Sequence, residues 1–141
     1  MNSNKNEIDK ENLRQVIYDF PHQFKKGLEL AKDIKVDGNF RSIEISGMGG
    51  SSLPANILRI YLSSLTRGFP KQKKTLGVFQ NRFYSLPHEA YSDCLNFFAS
   101  YSGNTEETVS SLKEAIENKL PSVGIAAGGK VLELCQKNNI P

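Results

Sequence analysis

The 141-residue chain has no tryptophan, two cysteines, six prolines and eleven glycines. Proline and glycine at that level exclude a collagenous or low-complexity chain. Cys94 and Cys135 each sit inside an apolar segment. They read as reduced core residues of a cytosolic protein, with no disulfide framework or metal cluster behind them. No apolar run approaches the roughly 18 residues that a membrane-spanning helix needs. Residues 1–11 are polar and mixed in charge, which is not the pattern of a signal peptide. Acidic residues are missing between Ile45 and His88, a stretch that holds Arg59, Arg67, Lys71, Lys73, Lys74 and Arg82. The formal net charge is still only +3, and a nucleic-acid-binding domain would be more basic, with aromatics interleaved on one face. The skew fits a solvated basic loop at residues 67–74, or a field that favours small anionic ligands.

What is present is a globular composition, 38% hydrophobic and 23% charged, in a length that suits one domain with a sizeable core. Ile8, Leu13, Val16, Ile17 and Phe20 follow a helical period that Pro21 ends or redirects; Phe24, Leu28 and Ala31 mark a second helix. After the Asp37-Gly38 turn signal the period changes to two. Residues 42–46 alternate as a strand and run into Gly47-Met48-Gly49-Gly50-Ser51-Ser52, followed by a helix over residues 53–65 with Pro54 in its first turn. Further strands are expected at 75–79, 94–99 and 122–126, with helices at 106–118 and 131–137. Ile140-Pro141 reads as the entry to another strand. Strands alternating with helices predict an α/β three-layer sandwich with a parallel, flavodoxin-like sheet, preceded by helices in residues 1–40 that pack on the domain at 41–141.

Two Ser/Gly segments follow the first and third strands, which are neighbours at the switch point of a 2-1-3-4-5 sheet. A helix N-terminus offers unpaired N–H groups and partial positive charge, so it suits anions and phosphate above all. Gly50 and Ser51 in the first segment, and Ser100, Ser102 and Thr105 around Gly103 in the second, are the candidate phosphate-binding residues. The plainer reading of each loop is an N-cap and a tight turn, and Thr105 would serve as a cap in any case. Glu106 and Glu107 suit the first turn of the next helix and would point away from a bound anion.

Other motifs carry less. Gly47-x-Gly49-x-x-Ser52 approaches a dinucleotide fingerprint, but the first acidic residue after it is Glu89, too far on to hold a ribose. Residues 124–131 match a phosphate-binding P-loop up to Gly129-Lys130, yet Val131 stands where a Mg²⁺-binding hydroxyl belongs. His22 and His88 are the only histidines. Neither adjoins a Ser/Gly segment, so both read as surface or capping residues.

The segments at residues 47–55 and 100–108 resemble the two signatures of sugar isomerase (SIS) domains, in a wording similar to that of the bifunctional phosphoglucose/phosphomannose isomerases. Phe20-Pro21-His22-Gln23, Leu86-Pro87 and Ala127-Gly128-Gly129-Lys130 also look like that family. The resemblance implies a hexose 6-phosphate site at Gly50, Ser51, Ser100, Ser102 and Thr105. It implies interconversion of glucose 6-phosphate or mannose 6-phosphate with fructose 6-phosphate by proton transfer through an enediol, without metal or nucleotide cofactor. It further implies a cytoplasmic homodimer, a second SIS domain, and a catalytic glutamate, histidine and arginine that match nothing in this chain. The chain is thus expected to be an N-terminal SIS domain ending before its own last strand, inactive alone and without a catalytic residue of its own. The alternative is a non-catalytic sugar-phosphate sensor. Regulators of that kind carry a helix-turn-helix ahead of the domain, whereas residues 1–40 hold two helices without a basic recognition face.

Overall fold

The computed structural model describes residues 9–66 and 76–141. The basic segment at 67–74, Thr75 and Ile8 lie outside the described residues. Two compact units form, Met1–Lys35 and Val36–Pro141.

The first unit holds α1 (Leu13–Asp19) and α2 (His22–Ala31). The Asp9 carboxylate accepts the Leu13 and Arg14 N–H groups at 2.6 and 2.9 Å, satisfying two donors at the start of α1. Pro21 immediately precedes α2, and the Phe20 and Phe24 rings meet edge to face at 6.4 Å across the junction.

The second unit contains β1 (Ser42–Ser46), a 3-10 turn (Gly49–Ser52), α3 (Leu53–Thr66), β2 (Gly77–Asn81), a second 3-10 turn (His88–Tyr91), β3 (Cys94–Ser100), α4 (Glu106–Glu117), β4 (Ser122–Ala126) and α5 (Gly129–Lys137). The sheet runs β2-β1-β3-β4, and every pairing is parallel. The flavodoxin-like α/β architecture is therefore as the sequence predicts. Right-handed crossovers place α3 on one face and α4 with α5 on the other. Phe98, Leu112, Ala115, Val131 and Cys135 form the core on the second face, joined by Leu86 and Ala90 from the loop before β3.

Three details depart from the sequence reading. β2 lies two residues later than the expected 75–79, because Asn81 pairs with Ser46 in register and turns its amide into the interior. The two 3-10 turns carry no periodic apolar pattern and were not expected. α5 begins at Gly129 rather than Val131. A larger surprise is that the polar side of β1 is buried as well. Ser42, Glu44 and Ser46 are all buried, with Glu44 at 0% exposure, and on the opposite face Ile45 is buried and Ile43 half-buried. A central strand of a parallel sheet is covered on both faces, so polar residues at alternate positions go inside.

Candidate functional site

Both Ser/Gly segments emerge at the carboxyl edge of the sheet, one from β1 and one from its neighbour β3. In the first, the Gly47 N–H donates to the Asn81 carbonyl at 3.1 Å. A side chain on Gly47 would press against the Ala99 carbonyl at 2.9 Å, so the first segment leaves the sheet packed closely on the end of β3. Gly49 takes φ +52 and starts the 3-10 turn that leads directly into α3. The Ser52 hydroxyl folds back onto the Gly49 carbonyl at 2.8 Å, and the Gln80 amide holds the Ser52 carbonyl at 2.7 Å. Gly50 remains exposed and Ser51 half-buried at the crevice.

The second segment is built more tightly. Ser100 is buried, and its hydroxyl accepts the Gly103 N–H at 3.1 Å while sharing a 2.9 Å hydrogen bond with the Thr105 hydroxyl. Thr105 does occupy the N-cap position of α4, but no side-chain capping bond forms. Its hydroxyl is committed to Ser100, which corrects the expectation that it caps by its side chain. Ser102 is exposed and its oxygen accepts the Asn104 N–H at 3.3 Å, leaving its own proton to donate elsewhere.

The family-like segment at residues 127–130 has a role that sequence reasoning missed, since it braces the second segment. The Tyr101 carbonyl accepts the Ala127 N–H at 3.1 Å, the Gly103 carbonyl accepts the Val131 N–H at 2.9 Å, and the Asn104 side-chain oxygen accepts the Lys130 N–H at 3.0 Å. Gly103 sits at φ +70 with the Gly128 carbonyl filling the place of a side chain; Gly129 sits at φ +68 against the Ser102 carbonyl. The glycines that imitate a P-loop thus serve close backbone packing. Lys130 pairs with Glu133 at 2.8 Å on the helix surface.

The charged and titratable side chains outside these segments are placed as follows. Glu106, in the first turn of α4, accepts the Tyr84 hydroxyl at 3.2 Å. That hydrogen bond and the Glu107 charge raise the Tyr84 pKa above its ordinary value. Glu114 accepts the Leu86 N–H at 3.0 Å and the Tyr91 hydroxyl, tying α4 to the loop before β3. His22 is exposed at the start of α2 and 3.9 Å from Asp19, and His88 is exposed in the second 3-10 turn. Burial pushes the Cys94 and Cys135 thiols up, as suits core residues. No helix among the described residues is long and apolar enough to cross a membrane.

Beneath the first segment lies a polar network that the sequence did not reveal. The Ser46 hydroxyl donates to Glu44 Oε1 at 2.8 Å, and the Asn81 amide donates to Ser46 at 3.1 Å and Ser111 at 3.2 Å. Ser111 in turn donates to the Phe83 carbonyl at 3.1 Å. Burial raises the Glu44 pKa to about 7, against the opposing effect of the Ser46 hydrogen bond. Its position inside the central strand of a parallel sheet is the signal that could have exposed it.

No family model matches the chain. Among curated proteins it is 34% identical over 125 residues to a bifunctional phosphoglucose/phosphomannose isomerase of Caldicellulosiruptor bescii, covering 86% of this chain and 34% of that protein. It is 34% identical over 123 residues to the protein of the same name from Aquifex aeolicus, covering 87% of this chain and 35% of the relative. With that of Thermoplasma acidophilum the figures are 32% over 118 residues, 79% and 34%. The chain spans about a third of the length of the curated relatives it matches.

Proposed function

We propose that this chain, which is a sequence relative of the bifunctional phosphoglucose/phosphomannose isomerases, is the hexose 6-phosphate-binding part of an aldose–ketose isomerase, and that its site is the crevice between the segments after β1 and β3. The observation that carries this reading is the meeting of two Ser/Gly segments, each opening a helix, at adjacent strand ends. The N–H groups at the starts of the Gly49–Ser52 turn and of α4 supply donors and positive potential. Gly50 allows close approach, and Ser51 and Ser102 stand at the rim with hydroxyls that can donate to phosphate oxygens. Ser100 works from below. It accepts the Gly103 N–H and can donate to Thr105, which frees the Thr105 proton for the ligand.

Isomerisation requires a base within reach of the substrate carbons. Glu44 has a pKa near neutrality but is fully enclosed, so it cannot serve. The acid–base residues belong to the part of the relatives' length that this chain does not span. The chain alone therefore binds hexose phosphate without turning it over, and the whole protein works as a cytoplasmic homodimer.

Calorimetric titration with glucose 6-phosphate tests the site. Ser102→Ala removes a neutral donor to a charged acceptor, worth about 1.5–3 kcal/mol, and should weaken affinity roughly tenfold to a hundredfold. Ser110→Ala is the control, since Ser110 lies a turn into α4. The neighbouring Ser111 is unsuitable because its hydroxyl belongs to the buried network. Unchanged affinity in Ser102→Ala would remove the second segment from the site.

A further inference from the structure

We propose that Glu44 is a positioning residue for the first substrate-binding segment, held as the neutral acid beneath the crevice, and that its ionisation weakens hexose-phosphate binding. The proposal rests on the reading of that crevice as the phosphate site. Its basis is geometric. Glu44 is 0% exposed, and its Oε1 is engaged by Ser46, which is engaged by Asn81. The Asn81 carbonyl in turn accepts the Gly47 N–H, the first donor of the segment. The carboxyl is therefore three hydrogen bonds from the start of the binding loop.

The other carboxyl oxygen, Oε2, has no hydrogen-bond partner among the described residues, and neither has Asn96 Oδ1. Glu44 and Asn96 are register partners on β1 and β3, with side chains on the same face. The Asn96 amide nitrogen is already spent on the Ala90 and Pro121 carbonyls. Two buried acceptors without a donor are costly, and a retained proton on Glu44 supplies one. Burial acts the same way, holding the group near its midpoint at neutral pH.

The other titratable groups around Glu44 do not compensate a negative charge. The Cys94 thiol on β3 is within electrostatic reach, and Glu89 in the His88–Tyr91 turn acts on that thiol. β2 carries no titratable side chain. On α4, Glu114 is held by Leu86 and Tyr91. No cation faces the carboxyl among the described residues, so ionisation leaves an uncompensated anion about 10 Å along the strand from the phosphate site. It also tightens the Ser46 hydrogen bond and so shifts the chain that leads to Asn81 and Gly47.

The test is an NMR pH titration of the full chain from pH 5.5 to 8.5, free and with glucose 6-phosphate, for wild type, Glu44→Gln and Ser46→Ala. In the free wild type, the Gly47 and Asn81 amides should share a step near pH 7. Glu44→Gln should lack it, and Ser46→Ala should keep the Glu44 carboxyl titration but lose the step at Asn81. Any step common to all three proteins cancels in the comparison. With ligand, wild-type affinity should rise as the phosphate ionises near pH 6, then fall about three- to tenfold as Glu44 ionises. In Glu44→Gln the fall is absent. A flat wild-type response between pH 6 and 8, or the same step in Glu44→Gln, overturns the proposal. Loop amides that follow Glu44 in a chain that binds no glucose 6-phosphate would uphold the coupling and discard the phosphate-site reading instead.

Discussion

Folding moves the Glu44 carboxyl from water, where its pKa is 4.5, into an enclosed site where it is about 7. An acid whose pKa rises on folding binds its proton more tightly in the native state. Stability is therefore full below about pH 4.5, falls as pH rises toward 7, and levels off above it. The loss amounts to about 3 kcal/mol. Glu44→Gln keeps the shape without the charge. Its denaturant midpoint should stay level between pH 5 and pH 8 where that of the wild type declines, and parallel declines would refute the assignment. The same logic separates the hydroxyls of the second segment. Ser100→Ala removes the hydroxyl partner of Thr105 and one of the two acceptors of the Gly103 N–H, which keeps the Ser100 carbonyl, and should cost about 0.5–1.5 kcal/mol of stability. Ser102→Ala, at an exposed hydroxyl, should leave the melting temperature nearly unchanged. Comparison of the two melts distinguishes a strut from a ligand contact.

Elements were legible in the sequence where period and punctuation agreed. β1, β4 and α3 stand close to where alternation, apolar spacing and Pro54 place them, because local pattern and tertiary environment ask for the same thing. β2 slipped because Gln80-Asn81 look like loop residues, whereas the fold uses their amides to hold the Ser52 carbonyl and the Ser46 hydroxyl. Gly103 and Gly129 were visible as glycines, but the pairing of their segments is a long-range contact that no local window contains. That contact has a measurable consequence. A Cβ at Gly103 would collide with the Gly128 carbonyl in a left-handed backbone conformation, so Gly103→Ala should destabilise the domain by about 3 kcal/mol or more. Gly50→Ala meets open space at a negative φ and should melt like the wild type. Equal melts for the two variants would show that the 127–130 segment does not brace the second loop.

The whole second unit is a four-stranded sheet whose α3 turns Ile57, Ile60, Tyr61 and Leu65 outward. β4 forms an edge on which, among the described residues, Pro141 is engaged through its carbonyl and the Gly124 N–H. An apolar helix face and an open strand edge both favour association. Sedimentation should show concentration-dependent oligomers, and a sharp monomer at high concentration would count against the assembly we propose. Above all, the account depends on two segments, distant in sequence, acting as one phosphate site. Amide shift mapping during titration with glucose 6-phosphate addresses that directly, with unphosphorylated glucose as the comparison. The account predicts that Gly49, Gly50 and Ser51 shift together with Ser102, Gly103 and Thr105, on one binding curve and only for the phosphate ester. Shifts confined to one segment, or equal shifts with glucose, would contradict it.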